Sequence, residues 1–107
     1  MTHRRMGKRA RHDSILDAAL RVAEHRGYQM MTRDDIALAA GCSPALVSEV
    51  LGTMQALRRS VMRAAVSREV LPVIAQGLAL RDVHAIRAPE SVRLAAAKSL
   101  GFNGGRK

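Results

Sequence analysis

The sequence predicts an all-α protein, a small helical bundle, and two features of composition and pattern favour that class. Apolar residues make up 48% of the 107-residue chain, whereas aromatic residues make up 2%. The core is therefore aliphatic, which favours close-packed helices, because strands are enriched in aromatic and β-branched residues. The apolar residues recur at three- and four-residue spacing, and no segment shows the alternating apolar and polar pattern of a strand.

The balance of charge predicts an anionic partner. Lys and Arg total 18 against 9 acidic residues, for a net charge of +9. Such a charge says little about the fold, but it favours nucleic acid first, an anionic membrane surface second and an acidic protein third. A basic protein with no such partner remains an alternative.

The chain carries one cysteine, Cys42, so no intramolecular disulfide is possible, and a reducing cytoplasm is expected. Its longest uncharged run, residues 36–48, is shorter than the roughly 20 residues that span a bilayer. The basic N-terminus is not followed by the apolar segment of a signal peptide. These features predict a cytoplasmic protein.

The first segment, residues 1–12, predicts a flexible basic arm, because it has no acidic residue and little apolar content. A first helix follows over residues 13–26. Its apolar positions share one helical face, and Asp17 and Arg21 stand four residues apart in the favoured order. Gly27 is suited to end this helix.

Two short helices come next. Thr32 is a good N-cap with Asp35 in the capping-box position, Met31 and Ile36 are spaced as a hydrophobic staple, and Gly41 closes the second helix. The third helix is predicted over residues 44–51. Ser43 caps it, Pro44 takes the first helical position, Cys42 is placed to staple to Val47, and Gly52 ends it. Two short helices joined across a Gly-containing turn predict a helix-turn-helix.

The rest of the chain predicts three further helices. The fourth covers residues 54–70, capped by Thr53 and ended or kinked by Pro72. The fifth covers residues 73–80 and is weakened by Gly77. The sixth follows Pro89 and ends at Gly101, with an apolar row of Val92, Leu94, Ala95, Ala96 and Leu100.

Residues 15–62 resemble the N-terminal DNA-binding domain of the TetR (tetracycline repressor) family, a homeodomain-like helix-turn-helix. The resemblance runs without a gap, and its motifs are Ile15-Leu16, Ala18-Ala19, Gly27-Tyr28, Thr32, Ile36-Ala37, Ala40-Gly41, Ser43, Leu51 and Leu57. It implies a DNA-binding regulator in a bacterial or phage-encoded setting.

The chain departs from the family pattern at three positions. Ser48 stands where the family commonly has Tyr, Leu51 where it has an aromatic residue, and Met54 where it has Lys. The Tyr and Lys usually touch the DNA backbone. The family also carries a long C-terminal effector domain, whereas residues 71–107 are too few for a small-molecule pocket of several hundred Å³. A small-molecule effector is therefore not expected.

Functional residues are predicted on the third helix and around it. Val47, Val50 and Leu51 share the face that packs inward, so the opposite face is available to read base edges. The candidate base-contacting residues are Ser43, Pro44, Ala45, Leu46, Ser48 and Glu49. The candidate backbone-contacting residues are Arg4, Arg5, Lys8, Arg9, Arg11, Thr32, Arg33, Thr53 and Arg58. A helix that merely packs is the competing interpretation.

No enzymatic motif, cofactor or metal site is predicted. The four histidines, His3, His12, His25 and His84, show no metal-ligand spacing, and Asp34 and Asp35 suit the start of a helix. The sequence therefore predicts a repressor that binds a palindromic DNA site as a homodimer, with residues 71–107 as the dimer interface. The alternative is a module that uses the helix-turn-helix as a scaffold to bind a protein such as a polymerase subunit.

Overall fold

A computed structural model describes residues 7–100 and confirms the all-α class. These residues form seven helices and no strand: α1 (Lys8–Arg26), α2 (Arg33–Ala40), α3 (Pro44–Leu51), α4 (Met54–Arg68), α5 (Leu71–Ala79), α6 (Val83–Ile86) and α7 (Glu90–Ser99). Helix α1 packs on α2 and α4, and α5 packs on α4 and α7. One buried aliphatic core continues from α1 to α7.

The first helix begins at Lys8, so the predicted start at residue 13 was wrong. Residues 8–12 of the predicted flexible arm are helical, whereas Arg4 and Arg5 lie outside the described residues. Arg9, Ala10 and Arg11 are good helix formers. Periodicity missed this stretch because its side chains do not reach the core, and the first fully buried position is Ile15.

The helix-turn-helix forms with the predicted caps. Thr32 Oγ1 accepts from the Asp35 amide at 3.1 Å, and Ser43 Oγ accepts from the Leu46 amide at 3.1 Å. The Asp35 carboxylate, by contrast, faces Arg26, with 3.2 Å between Asp35 Oδ2 and Arg26 Nε. That pair joins α1 to α2 as an ion pair without a well-aligned hydrogen bond.

The fourth helix ends at Arg68 rather than residue 70, and the fifth begins at Leu71 rather than residue 73. Glu69 takes the left-handed conformation that ends α4 (φ 55°), and its amide donates to the carbonyls of Ala65 and Val66. Pro72 lies inside the first turn of α5. A proline is tolerated there because the first turn needs no amide donor.

The short helix α6 was missed by the sequence analysis. Asp82 caps it, accepting at Oδ1 from the amides of His84 (2.9 Å) and Ala85 (3.2 Å). Gly77 of α5 is buried where α6 crosses it, and a Cβ there would lie 2.9 Å from both Ala85 Cβ and Met62 Sδ. The glycine that weakens α5 by propensity is therefore what lets α4, α5 and α6 approach closely.

The C-terminal helices fold back on their own chain, so part of the predicted dimer interface is buried within one chain. Val73 and Ile74 of α5 are fully buried, and Val92 and Ala96 of α7 are buried against the same core. The prediction that these four residues face a second chain was wrong, because α5 and α7 pack on each other. Leu94 is 57% exposed and Leu100 is 46% exposed.

Tyr28, the only tyrosine in the sequence, joins the two halves of the fold. Its amide donates to Gln76 Oε1 at 2.5 Å, and its hydroxyl shares its one proton between the Arg58 carbonyl at 3.1 Å and Asp82 Oδ2 at 3.3 Å. Burial of the ring, followed by the negative charge of Asp82, raises the pKa of Tyr28 to about 12.

No helix within residues 7–100 is long and apolar enough to cross a membrane.

Candidate nucleic-acid interface

The turn between α2 and α3 is fixed by backbone geometry. Gly41 has φ 71°, in the left-handed region that glycine adopts without a Cβ penalty. The amide of Gly41 donates to the Leu38 carbonyl at 3.3 Å, and that of Cys42 donates to the Ala37 carbonyl at 3.0 Å. These bonds close α2 and bring Ser43 directly to the start of α3.

Helix α3 has the predicted inner and outer faces. Val47 and Leu51 are buried, and Val50 packs partly against the core. Cys42 is half-buried and packs partly against the core as well. Of the candidate base-contacting residues, Ser43, Pro44, Ala45 and Glu49 are exposed, whereas Leu46 and Ser48 are half-buried. The outer face is thus small, with Glu49 as its one charge.

A groove lies between the start of α2 and the start of α4, and we call it the α2–α4 groove. It has a volume of about 470 Å³, and its lining includes Thr32, Arg33, Met54 and Arg58. Three predicted backbone-contacting residues, Thr32, Arg33 and Arg58, therefore come together here. The fourth residue near a helix start, Thr53, is exposed and caps α4 next to Met54.

Two helix starts increase the positive potential in this part of the molecule. The positive ends of the α2 and α4 dipoles are capped by Thr32 and Thr53, whose Oγ1 atoms each accept from a backbone amide at 3.1 Å. A hydroxyl that accepts in this way still has its own proton to donate. An anion beside either cap can therefore receive a hydrogen bond from that threonine.

Arg58 supplies a positive charge close to the position where the family pattern has Lys. Met54 takes that Lys position, and Arg58 follows one helical turn later on the same face of α4. The Tyr28 hydroxyl holds the Arg58 carbonyl at 3.1 Å. Arg33 and Arg58 thus make up for the positive charge that the family pattern has at the position of Met54, whereas exposed Asp34 on the same groove opposes them.

The remaining basic candidates lie on α1. Lys8 and Arg9 are exposed and Arg11 is half-buried, all in the first turn of the helix or just after it. That turn has no acidic residue, so these cations add to the positive end of the helix dipole. Lys8 and Arg9 line a surface depression with His12 and Asp13, separate from the α2–α4 groove.

Sequence reasoning missed two contributors to this architecture. Met54 lines the α2–α4 groove, although it was noted only as a departure from a family pattern. Asp82 was not singled out, yet it caps α6 and accepts from Tyr28. An aspartate followed at once by an apolar, turn-like segment is a recognisable N-cap signal, but its bond to Tyr28 depends on contact between distant segments. Among residues 7–100, no group of three or more His, Cys, Asp or Glu side chains could hold a metal ion.

The crossing of α2 and α3 over a tight glycine turn, with an exposed third helix, defines the helix-turn-helix class of DNA-binding domains. Residues 15–61 match the family model described as bacterial regulatory proteins of the tetR family. The resemblance stated from the sequence is confirmed over that segment, and the match supports a DNA-binding transcription regulator of the TetR type. Searches of curated proteins and of solved structures gave no match.

Proposed function

We propose that this protein is a sequence-specific DNA-binding repressor that reads a palindromic site as a homodimer, with α3 in the major groove. The observation that carries the proposal is the pairing of an exposed, small outer face on α3 with the Arg33 and Arg58 groove beside it. One surface would supply sequence reading and the other phosphate binding, the division of labour typical of DNA-binding proteins.

Reading would depend on the first turns of α3. The Ser43 side chain caps the helix, which leaves Ala45, Ser48 and Glu49 to meet base edges. A Ser hydroxyl pairs with several bases, an Ala methyl contacts the thymine methyl, and a Glu carboxylate accepts from cytosine N4. Small side chains at Ser43, Pro44 and Ala45 allow the helix to approach the groove floor closely.

Affinity would come from phosphates. Arg33 and Arg58, the hydroxyls of Thr32 and Thr53, and the basic start of the chain are the proposed backbone contacts. Arg4 and Arg5, outside the described residues, belong to this set together with Lys8, Arg9 and Arg11. The net charge of +9 supports a large electrostatic contribution to the binding affinity, and this contribution decreases as the salt concentration rises.

Dimerisation would involve the apolar residues that α7 leaves exposed. Leu94 and Leu100 are the large ones, and Leu100 borders a shallow opening of about 290 Å³ with Leu78 and Ala97. A two-fold dimer would present its α3 helices about 34–36 Å apart, one turn of duplex. Repression is the simplest outcome, because a dimer bound at a promoter blocks transcription without contacting any other protein.

The test is a randomised-duplex selection with the full-length chain, followed by binding measurements on the selected site. We expect a palindrome, and we expect Ser48→Ala or Glu49→Ala to change preference at one or two base pairs by roughly 1–3 kcal/mol. Lys98→Gln, a change on α7, is the control that should keep the preference. Wild-type preference in both α3 variants would exclude α3 as the reader, and no binding to any duplex would favour the protein-interaction alternative.

A further inference from the structure

A second groove lies on the other side of Arg58, between α4 and the α5–α6 corner. We call it the α4–α6 groove. It has a volume of about 380 Å³, and its lining includes Gln55, Arg58 and Arg59 from α4 and Leu80, Val83 and His84 from the corner. Its two walls differ in chemistry, because α4 contributes cationic and amide groups, whereas the corner contributes the apolar side chains of Leu80 and Val83 beside Asp82 and His84.

The apolar wall is unusually exposed for side chains of its size. Leu80 is 42% exposed and Val83 is 47% exposed. Ile86, which is 45% exposed, follows Val83 by one turn of α6 and extends the same edge. Leu80 and Val83 thus give the groove an exposed apolar side, with Ile86 exposed one turn further along α6, and clustered exposed apolar side chains typically mark an interaction site.

The cationic wall forms no ion pair with the carboxylate of the lining, although the negative charge of that carboxylate offsets part of the positive charge. Asp82 is the carboxylate in the lining, and its two oxygens are engaged: Oδ1 accepts from the amides of His84 (2.9 Å) and Ala85 (3.2 Å), and Oδ2 accepts from the Tyr28 hydroxyl (3.3 Å). Neither Arg58 nor Arg59 makes an ion pair within residues 7–100. The groove therefore presents two guanidinium groups that lack an anionic partner in this part of the chain.

We propose that the α4–α6 groove docks an acidic amphipathic segment of a partner protein. Carboxylates of that segment pair with Arg58 and Arg59, and its apolar side chains cover Leu80, Val83 and Ile86. Arginine pairs with carboxylates through two parallel hydrogen bonds, which fixes the orientation of the segment as well as its charge. The proposed docking surface adjoins the proposed DNA interface and shares Arg58 with it, but it concerns a different class of partner.

Two other occupants fit the groove less well. A nucleic-acid backbone would satisfy the arginines, but its phosphates would leave three aliphatic side chains beside a charged chain. A second copy of this protein would bring its own charge of +9 to the cationic wall, and like charges brought together oppose association. An acidic amphipathic segment complements both walls at once.

The experiment is a titration of the ¹⁵N-labelled full-length protein with a synthetic helix-forming peptide of about 14 residues. Leu residues occupy one face of the peptide helix and Glu residues occupy the opposite face. A second peptide has the same composition but an order that removes the apolar face. We expect the first peptide to shift the amide resonances of Arg59, Leu80 and Val83, and to bind at least tenfold more tightly than the second.

Variants test the two walls separately. Val83→Ser and Arg59→Gln should each weaken peptide binding roughly tenfold, which corresponds to about 1.4 kcal/mol. Arg59 is used rather than Arg58 because Arg58 also lines the α2–α4 groove. Leu94→Ser is the matched control, since Leu94 is 57% exposed on α7 and lies outside this groove. Amide spectra of each variant without peptide verify the fold.

Several outcomes would overturn the proposal. Equal binding of both peptides, or of polyglutamate, would mean that charge alone attracts them. Shifts of the same three residues on adding duplex DNA, with no peptide effect, would assign the groove to nucleic acid. Shifts that follow protein concentration alone would assign it to a second copy. An unchanged affinity in both Val83→Ser and Arg59→Gln would place the peptide elsewhere.

Discussion

The Tyr28 hydroxyl donates to Asp82 Oδ2 at 3.3 Å, and the two residues are 54 positions apart in the chain. The same hydroxyl donates to the Arg58 carbonyl at 3.1 Å. One side chain therefore connects the turn after α1, the second turn of α4 and the cap of α6. Through these contacts the helix-turn-helix half of the protein is bonded to the C-terminal helices.

Tyr28→Phe should lower the free energy of unfolding by about 1–3 kcal/mol, because it removes hydrogen bonds to a carboxylate and a carbonyl while keeping the buried ring. Urea unfolding followed by circular dichroism measures the change. A double-mutant cycle with Asp82→Ala isolates the Tyr28–Asp82 bond. A coupling energy near zero would show that the bond to Arg58 carries the effect alone.

The raised pKa of Tyr28 makes stability depend on alkaline pH. The folded-state pKa of about 12 exceeds the ordinary value of 10.0, because the buried ring and Asp82 disfavour the phenolate. The folded state holds the proton more tightly, so this contribution is complete below pH 10 and is lost as the pH rises toward 12, by up to about 1.4 kcal/mol per pH unit.

Ultraviolet absorbance of the tyrosinate measures this titration directly, since the sequence has one tyrosine and no tryptophan. We expect a midpoint near 12 in the native protein, and a lower one in Asp82→Asn because a negative charge is removed. Tyr28→Phe is the control for the pH dependence of stability, because it removes the phenol and leaves every other group in place. A native midpoint near 10 would contradict the packing described for Tyr28.

Gly77→Ala should destabilise the protein although Ala is the better helix former. The added Cβ would lie 2.9 Å from Ala85 Cβ, a contact that a rotamer change cannot relieve. Overpacking of this kind costs about 1–3 kcal/mol, against a gain of about 1 kcal/mol in helix propensity. Thermal unfolding compares this variant with Gly7→Ala, where a Cβ meets nothing within 4 Å. A higher Tm for Gly77→Ala would show that α6 does not pack closely on α5.

Val92→Ala tests whether α7 belongs to the core of its own chain. Val92 is 8% exposed, so its truncation should cost about 1–3 kcal/mol at any protein concentration. Leu94→Ala, on the same helix but 57% exposed, should change monomer stability by less than about 0.5 kcal/mol. Unfolding at several protein concentrations, together with sedimentation, distinguishes burial of α7 within its own chain from burial against a second chain. A concentration-dependent loss in Val92→Ala would restore the dimer interface first predicted for this face.

Arg33→Gln and Arg58→Gln should each weaken binding to every duplex and lower the slope of log K against log salt by about 0.9. Both side chains line the α2–α4 groove, where the proposed phosphate contacts lie. Fluorescence anisotropy between low and moderate salt gives the slope. Lys98→Gln removes one positive charge from α7 and should leave the salt slope unchanged. Equal slopes for all three variants would mean that net charge, rather than this groove, binds the phosphates.

Local sequence determined the helix-turn-helix almost completely. Thr32, Ser43 and Thr53 each cap the helix that follows, and Gly41 ends α2, because capping and left-handed geometry depend on residues within a few positions of each other. The same reasoning predicted the inner face of α3 from Val47 and Leu51. The placement of the candidate base-contacting residues on the outer face follows from that periodicity.

Only the tertiary structure decided the rest. Whether Val92 and Ala96 cover their own core or a second chain depends on how α7 packs against α5, and an apolar row is compatible with either. The juxtaposition of Arg33 with Arg58 likewise requires the starts of α2 and α4 to meet. Periodicity predicts which face of a helix is apolar. The identity of the surface that covers this face depends on contacts between residues far apart in the chain, such as Tyr28 and Asp82, which no local pattern encodes.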